Sequence, residues 1–480
     1  MTLWRKSLGY AVGRGVSSAI AFLLLPVLTR LLTAEQYGTW QVLEFWAVMV
    51  MFFIRLGLDQ AIFRFYVLEK NKRGRCLFSA FSTMLVTSAF FIVVGFFFRA
   101  PLTKMFLGSE FSPNFAALAI IWGVSDAFFS TAAAVFQAEE RVSLFILMDI
   151  ARATLGYGFS VLLLVLGFGV PGVIGSWIGA GFAVIIMVLP VIIRRMKFST
   201  DTKLVSSMVK YGLPLAVNLF VVRIFSFSDR WIIAKLIDFS ATGAYSAGVK
   251  IASIVVVAIM PIRYAWSARL FHMYKQGTLK SELPAIWRQL SGGIGIIAVG
   301  LILLSPEIFK LLIGPGYEIG AKVVPILAAA YFMDALILIA DAGIYVKGKT
   351  ILVPVFTAIA AVINIGFNII LIPKYGAVGA AVAAIFGFTA LLFLSWRTGQ
   401  FFYPIKIPYD KIFIAFLAIG LSIWFVNSFP QVIFRIMVML ILFAALFFGT
   451  GLDRDFRNLH LSKSKKNENN NEKGNLHNNS

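Results

Sequence analysis

The sequence is poor in charged residues, in cysteine and in histidine. Charged side chains make up 14% of its 480 residues, against about 25% in an average soluble domain. Its one cysteine, Cys76, gives no basis for a disulfide framework or a cysteine metal site. The three histidines, at positions 272, 460 and 477, fall in a predicted loop and in the C-terminal tail. We therefore expect no metal, no cofactor and no proton relay through histidine.

Long apolar runs are abundant. Hydrophobic residues make up 60% of the sequence, and many runs reach the roughly 18 residues that a helix needs to cross a bilayer. This pattern predicts an all-α polytopic membrane protein with about fourteen transmembrane helices. The spans are expected at roughly 11–32, 38–57, 78–98, 113–136, 144–166, 170–192, 211–234, 243–262, 289–312, 322–345, 351–372, 377–396, 411–428 and 431–450.

The surplus of positive charge, 43 lysines and arginines against 22 acidic residues, is explained by topology. If the N-terminus is cytoplasmic, about 30 of the 43 fall in the termini and in the loops on the cytoplasmic side, as the positive-inside rule requires. The densest clusters, within 64–75, 194–197 and 263–275, all follow even-numbered spans. We predict that both termini are cytoplasmic and that nucleic acid is not a partner.

The chain contains an internal repeat. LTRLLTAEQYGTW (28–40) aligns without a gap with IAKLIDFSATGAY (233–245), at an offset of about 205 residues. Three further matches follow in order, pairing Gly108 with Gly314, Asp126 with Asp334, and 158–172 with 366–379. Each copy holds six spans, an even number, so the two copies form a parallel repeat. We predict an N-terminal lobe (1–200, spans 1–6), a C-terminal lobe (201–400, spans 7–12), spans 13 and 14 (401–450) and a disordered cytoplasmic tail (451–480).

Several stretches resemble the polysaccharide and oligosaccharide flippases, the Wzx-type O-antigen transporters. They are YGTW after a span ending TRLLTAEQ, GLDQAIFRFY, YGLPLAVNLF, ATGAYSAGVKIA, and KGKT followed by INIGFNIILIPKYGAVGAA. This family belongs to the multidrug/oligosaccharidyl-lipid/polysaccharide superfamily, with the MATE drug exporters and the lipid II flippases. The resemblance covers about residues 5–400.

The resemblance implies a MATE-like, V-shaped pair of lobes around a cationic cavity, in a bacterial or archaeal cytoplasmic membrane. It implies a non-enzymatic flippase that moves an undecaprenyl-diphosphate-linked oligosaccharide to the outer leaflet by alternating access. The implied partners are this lipid-linked glycan, membrane lipid and polysaccharide-assembly proteins, and the protein is expected to be a monomer.

Three other functions remain open. A MATE-type cation-coupled exporter would favour an acidic cavity, and a lipid II flippase would carry a different glycan. A membrane enzyme of polysaccharide assembly is disfavoured, because the predicted outer loops have about a dozen residues at most. The stretch GIYVKGKT (343–350) matches a phosphate-binding loop formally, but it lies between two apolar spans and not between a strand and a soluble helix.

The candidate substrate site comes from VVRIFSFSDRWIIAKL (221–236). Charges inside a span are costly and are often functional, and helical geometry places Arg223, Ser226 and Arg230 close together on one face. Ser18 is the repeat counterpart of Arg223, and Arg14 lies one turn before it. We predict that this stripe binds substrate, since arginine suits diphosphate and sugar hydroxyls.

A structural role for these arginines is the alternative. They would then pair with aspartates such as Asp126, Asp229 or Asp334 and hold the lobes together. Asp229 lies about 100° off the stripe and is expected to orient an arginine.

Other charges suggest a gate and an ion-coupling site. Glu44 and Lys250 lie at equivalent depth in the two copies, which predicts an outer latch that is closed when the cavity faces inward; local pairing is the alternative. The repeat-equivalent Asp126 and Asp334, with Asp341, are candidates for binding a proton or Na⁺, or else they satisfy neighbouring polar groups.

A cytoplasmic entrance is predicted at the end of span 2. Arg55 and Asp59 lie one turn apart, with Arg64 beyond, and Arg64 aligns with Arg269 of the second copy. These residues are expected to receive the lipid diphosphate, or to act only as membrane anchors. In span 5, Asp149 and Arg152 are expected to form a local ion pair.

Overall fold

The structure, a computed structural model, describes residues 3–199 and 201–453, with side chains from residue 13 onward except those of Arg14 and Lys70. The described residues form helices joined by short turns and contain no β-strand. The N-terminal lobe consists of α1 (Leu3–Leu31), α2 (Ala34–Arg55), α3 (Leu58–Leu68), α4 (Arg73–Phe97), α5 (Arg99–Phe106), α6 (Asn114–Ala138), α7 (Val142–Val165) and α8 (Gly169–Ile193).

The C-terminal lobe and the last two helices follow the same plan. They comprise α9 (Thr202–Leu236), α10 (Phe239–Ala252), α11 (Ile254–Gln276), α12 (Leu279–Leu303), α13 (Ser305–Leu312), α14 (Ile319–Ala340), α15 (Ala342–Val346), α16 (Leu352–Phe402), α17 (Tyr409–Ser428) and α18 (Val432–Gly449). The predicted tail lies outside the described residues from position 454 onward.

The helices confirm a multi-pass membrane architecture. Among the described residues, twelve helical segments are long and apolar enough to cross a membrane. One of them, α16, has 51 residues and contains two predicted spans, which meet at Gly376 with φ 57° and ψ −138°. The shorter apolar stretch Gly15–Leu31 corresponds to predicted span 1. Predicted span 8 corresponds to two helices, α10 and α11, that meet at Ser253.

The two copies of the repeat meet at glycines. A Cβ atom at Gly38 would lie 1.9 Å from the carbonyl oxygen of Phe239, and one at Gly243 would lie 1.8 Å from that of Ala34. Only glycine allows the backbones of α2 and α10 to approach this closely. The contact therefore fixes the lobes against each other where α1 ends and α2 begins, the end predicted to face outward.

The apolar cores show how the lobes are joined. The largest core runs through the C-terminal lobe and continues into the N-terminal lobe near Leu28 and Val42. A second core, around Met84 and Phe136, fills the rest of the N-terminal lobe. The lobes therefore share a core at the α1–α2 end.

Helix α9 crosses between the lobes along its length. Met208 near its start belongs to the N-terminal core, and Ile233 near its end belongs to the largest core. A Cβ atom at Gly212 of α9 would lie 2.1 Å from the carbonyl oxygen of Gly57. The first part of α9 is thus packed against the N-terminal lobe, although it starts the second copy.

The last two helices, α17 and α18, pack on the C-terminal lobe through α12. Arg435 of α18 is 2% exposed. It donates hydrogen bonds to the carbonyl oxygens of Leu303 and Pro430, both at 3.1 Å, and pairs with Glu307. This buried arginine anchors the extra hairpin to the lobe.

Candidate substrate cavities

Two cavities lie on either side of α9. The N-lobe cavity, about 600 Å³ in volume, is bounded by α9 and by the N-terminal helices α2, α6 and α7. The C-lobe cavity, about 710 Å³, is bounded by α9, α10, α11, α14 and α16. Arg223 and Phe227 line both cavities. The candidate site is therefore divided by one helix, and Arg223 lies at the division.

A smaller side cavity, about 360 Å³, lies between α1 and α11. It shares Ser18 with the N-lobe cavity, and Lys250 and Ser253 with the C-lobe cavity. Much of its remaining wall is apolar, including Phe22 and Val257. The side cavity thus adjoins both of the larger cavities and has a mainly apolar lining.

Arg223 and Arg230 lie on the same face of α9, as predicted, on either side of Phe227 in sequence. The guanidinium carbon of Arg223 lies 5.8 Å from the ring centroid, and that of Arg230 lies 4.5 Å from it. Ser226 lines the C-lobe cavity beside them and donates to the carbonyl oxygen of Val222 at 2.9 Å. The backbone of Arg14 lies in α1, but its side chain is outside the described residues.

Arg230 is held by the protein. It is 4% exposed, and its Nη1 lies 3.3 Å from Oδ1 of Asp229 and 2.9 Å from the carbonyl oxygen of Ser226. The hydroxyl of Tyr245 donates to the other carboxylate oxygen of Asp229. Asp229 therefore orients an arginine, and Arg223 is the arginine that faces both cavities.

Asp126 and Asp334 each pair with an arginine of their own lobe. Asp126 pairs with Arg152 of α7, and Arg263 of α11 lies 2.8 Å from Asp334. The local pair predicted between Asp149 and Arg152 is wrong, because Asp126 of α6 takes its place. Sequence spacing did not reveal this partner, which is 26 residues away along the chain.

Asp341 is the third aspartate predicted to couple ions. It is 6% exposed and lines the C-lobe cavity. Its Oδ1 is buried and accepts no hydrogen bond from the described residues. It is placed apart from Asp126, which lines the other cavity.

The predicted latch is not formed in this structure. Glu44 lines the N-lobe cavity and accepts a hydrogen bond from Nε2 of Gln41 at 2.9 Å. Lys250 lines the C-lobe and side cavities. The two side chains therefore belong to different cavities.

The residues predicted at the cytoplasmic entrance do not form one cluster in the structure. Arg55 and Asp59 form an ion pair of 2.9 Å in the wall of the N-lobe cavity, and Arg55 also donates to Ser130 at 3.2 Å. Arg64 instead lies over the ring of Tyr211, 4.6 Å from its centroid, and so links α3 to α9. Arg269 forms an exposed ion pair with Glu282 in the other lobe.

The formal charges of the two cavities differ. Among the described residues, the N-lobe cavity is lined by four carboxylates and three arginines, and the C-lobe cavity by three carboxylates and four basic side chains, with Arg223 counted in both. Of these described side chains, the positive surplus lies on the C-lobe side. The N-lobe residues are Glu44, Asp59, Asp126, Asp149, Arg55, Arg152 and Arg223, and the C-lobe residues are Asp229, Asp334, Asp341, Arg223, Arg230, Arg263 and Lys250.

A family model described as "Polysaccharide biosynthesis protein" matches residues 3–267, more than half of the chain. The chain belongs to this family. The resemblance predicted from the sequence is thereby confirmed.

Two individual proteins are similar to this chain over most of its length. The "Probable low-salt glycan biosynthesis flippase Agl15" of Haloferax volcanii is 25% identical over 424 residues, 86% of each chain. An "Uncharacterized membrane protein" of Haemophilus influenzae is 24% identical over 336 residues, 67% of this chain and 78% of that one.

Solved structures of other membrane proteins have the same fold as this chain. A structure titled "Lipid II flippase MurJ, inward closed conformation" matches with a TM-score of 0.73 at 13% identity, covering 93% of this chain and 99% of that chain. An outward-facing multidrug resistance MATE transporter matches with a TM-score of 0.55 at 15% identity, covering 83% and 94%. The predicted MATE-like lobe pair is confirmed as a fold.

One part of the site in this polysaccharide biosynthesis protein is not predicted from the sequence. The N-lobe cavity has an aromatic wall, formed by Phe129, Tyr157 and Trp177. Arg152 lies against it, with its guanidinium carbon 4.4 Å from the ring centroid of Phe129 and 5.5 Å from that of Trp177. Aromatic residues occur in every predicted span, so no sequence signal distinguishes those that face a cavity from those that face lipid.

Proposed function

We propose that this protein is a flippase that moves an undecaprenyl-diphosphate-linked oligosaccharide from the cytoplasmic to the outer leaflet by alternating access. The observation that carries the proposal is the position of Arg223, which lines both cavities from the middle of a membrane-spanning helix. An arginine at that place binds a diphosphate with several donors while staying charged. The family, the name of the Haloferax relative and the MurJ-like fold all support transport of a lipid-linked glycan.

The contacts between the lobes support an inward-facing state, in which the predicted latch between Glu44 and Lys250 should be closed but is not formed. They include hydrogen bonds of 3.0 Å from the amide of Gly314 to Thr29 and from the hydroxyl of Tyr317 to the carbonyl oxygen of Leu32. Both bonds lie at the α1–α2 end, where the lobes share a core. With both termini in the cytoplasm, this end faces outward, and it must open for release.

The polyprenyl tail would stay in lipid and pass through the side cavity. On the opposite side of the lobe contact, α2 and α9 are sealed by rings: Phe52 and Phe220 lie 4.4 Å apart, and Trp46 and Trp231 lie 5.7 Å apart. Between α1 and α11 there is instead the mainly apolar side cavity. A tail located there leaves the diphosphate within reach of the larger cavities.

The proposed cycle contains no covalent chemistry, so the protein acts as a transporter and not as an enzyme. The proposed location is the cytoplasmic membrane of a bacterium or archaeon, with both termini inside. A monomer is sufficient, because a single chain contains both lobes, and polysaccharide-assembly proteins are the proposed neighbours.

The test is transfer of lipid-linked glycan in liposomes. The cargo is the lipid-linked pool extracted from cells that lack this gene, and lipid II serves as an alternative cargo. The wild-type protein should transfer the extracted pool, and Arg223→Ala should abolish transfer. Arg397→Ala, at an exposed arginine of α16 outside both cavities, is the matched control and should transfer normally. A wild-type protein that leaves the pool in its original leaflet would overturn the proposal, and selective transfer of lipid II would reassign the cargo.

The four carboxylates of the N-lobe cavity favour a second candidate, a MATE-type cation-coupled exporter. That function predicts proton- or Na⁺-driven transport of organic cations into the same liposomes, with no need for a lipid-linked cargo. Transport of a cationic dye that depends on Asp126, together with failure to transfer the glycan pool, would decide for the exporter.

A further inference from the structure

We propose that the N-lobe cavity is the glycan subsite and that the diphosphate binds on the other side of α9, in the C-lobe cavity beside Arg223. This inference rests on the proposed function and assigns the two halves of the cargo to the two cavities. It makes Trp177, Glu44 and Asp149 sugar-binding residues.

The charge difference between the cavities decides where the diphosphate binds. In the N-lobe cavity, Arg55 and Arg152 are already paired with Asp59 and Asp126. Two further carboxylates, Glu44 and Asp149, have no cationic partner within 4.0 Å among the described residues and would repel a diphosphate. In the C-lobe cavity Arg230 and Arg263 are likewise paired, with Asp229 and Asp334. Lys250 balances Asp341 in formal charge, so the shared Arg223 gives this lining a surplus of one positive charge. Coulomb repulsion by Glu44 and Asp149 therefore favours the C-lobe side for the anion.

The same carboxylates are suited to sugars. An ionised carboxylate is purely an acceptor with about four lone-pair positions, and sugar hydroxyls are donors. Glu44 uses one oxygen to accept from Gln41, so its second oxygen is available to a ligand. Asp149 lines the cavity with no hydrogen bond to another described residue. Two acceptors with no counter-cation among the described residues favour a neutral or amino sugar over a phosphate.

The aromatic wall supplies the second half of a sugar site. Trp177 is half-buried and lines the cavity. Its ring is held edge-on by Tyr157, with centroids 4.9 Å apart, and is backed by Trp122 at 6.4 Å. A Cβ atom at Gly156 would lie 3.0 Å from the Trp177 ring, so glycine at 156 leaves the ring its place. Arg152 lies over part of this ring, and the part that lines the cavity can contact the apolar C–H groups of a pyranose.

The aromatic wall and the carboxylates lie in the same cavity. The wall and the carboxylates together form an arrangement of one aromatic face with polar groups around it.

The side cavity fixes the order of the cargo. It meets the C-lobe cavity at Lys250 and Ser253 and the N-lobe cavity at Ser18. A tail between α1 and α11 places the diphosphate next to Lys250 and Arg223, and the glycan beyond it against Trp177. Tail, diphosphate and glycan then lie in the order of their covalent connection.

Equilibrium binding of two partial ligands to the purified full-length protein tests the assignment. The first probe is the oligosaccharide released by mild acid from the extracted lipid-linked pool, and the second is undecaprenyl diphosphate without sugar. Trp177→Ala should weaken binding of the oligosaccharide about tenfold, the effect of losing one good aromatic contact, and leave binding of undecaprenyl diphosphate unchanged. Arg223→Ala should do the opposite.

Further variants separate binding from folding. Glu44→Gln and Asp149→Asn keep the shape of the side chains and should weaken oligosaccharide binding while strengthening binding of undecaprenyl diphosphate. Trp177→Phe keeps an aromatic face and should bind the oligosaccharide between Trp177→Ala and the wild type. Trp396→Ala is the matched control, since Trp396 packs against Phe393 and Tyr409 away from the cavities.

Two outcomes would overturn the assignment, and they are distinguishable. If wild-type protein transfers the lipid-linked pool in liposomes but Trp177→Phe, Glu44→Gln and Asp149→Asn all bind the oligosaccharide like the Trp396 control, the subsite is wrong and the proposed function stands. If the wild type transfers no lipid-linked glycan, the proposed function fails and the subsite fails with it.

Discussion

Gly38 and Gly243 occupy the same position in the two copies of the repeat and lie against each other in the folded chain. The sequence match is thus also a spatial contact, between α2 of one lobe and α10 of the other. Residues related by the repeat meet where the pseudo-symmetry axis passes through the protein. The contact joins the lobes at the end proposed to open for release.

Gly38→Ala should loosen this junction. Its Cβ atom would lie 1.9 Å from the carbonyl oxygen of Phe239, so the helices must separate, and we expect a loss of about 1–3 kcal/mol in the free energy of unfolding. Thermal unfolding in detergent measures the change. Gly175→Ala is the control, because a Cβ atom there meets nothing within 4 Å. Equal melting temperatures for the two variants would contradict the close contact.

Asp126→Asn should destabilise the N-terminal lobe. It leaves the guanidinium of Arg152 without its counter-charge in a cavity wall, which typically costs about 3 kcal/mol. Unfolding measurements on Asp149→Asn provide the comparison, since Asp149 lines the same cavity without an ion pair to the described residues. The double variant Asp126→Asn with Arg152→Gln should recover part of the loss, and no recovery would show that the ion pair is not the cause.

Val257→Trp should obstruct the path of the lipid tail. Val257 lines the side cavity between α1 and α11, and an indole there fills space that the polyprenyl chain needs. We expect liposome transfer to slow about tenfold, equivalent to roughly 1.4 kcal/mol in the barrier, with oligosaccharide binding unchanged. Val217→Trp, at an exposed position of α9, should transfer at the wild-type rate. A Val257→Trp protein that transfers normally would place the tail elsewhere.

Arg435→Ala should release the C-terminal hairpin. The substitution leaves Glu307 and two carbonyl oxygens without their donor, and a lost buried charged partner costs about 3 kcal/mol or more. Limited proteolysis should then cut between α17 and α18 sooner than in Arg397→Ala, an exposed arginine of α16. Identical cleavage of the two variants would mean that the hairpin is held by its apolar faces alone.

Much of the fold follows from the sequence because membrane helices and repeats leave local signals. Apolar length places the spans, and the internal repeat predicts the two lobes, whereas the contact between Gly38 and Gly243 is found only in the fold. The face of α9 with Arg223 and Arg230 follows from a helical period within one segment. Pairings between helices leave no such signal, so the partner of Arg152 is found only in the fold.

The division of the cavity was also not predictable. Whether Trp177 faces lipid or a cavity depends on the packing of α7 and α8, and both positions are apolar in sequence. The separation of Arg55 from Arg64 depends on the break between α2 and α3 near Gly57. The family resemblance implied one cationic cavity, whereas among the described residues the positive surplus lies on the C-lobe side.

Because α9 is a wall of both cavities, a change in the volume of one cavity is coupled to an opposite change in the volume of the other. Any tilt of this helix toward one lobe narrows the space on that side and widens the space on the other. In a transport cycle based on such a tilt, the summed volume of the two cavities would stay nearly constant and would be redistributed between them. Arg223 would move with α9, so the diphosphate and the arginine that binds it would move together. The environments of the glycan and of the lipid tail would change during the same movement.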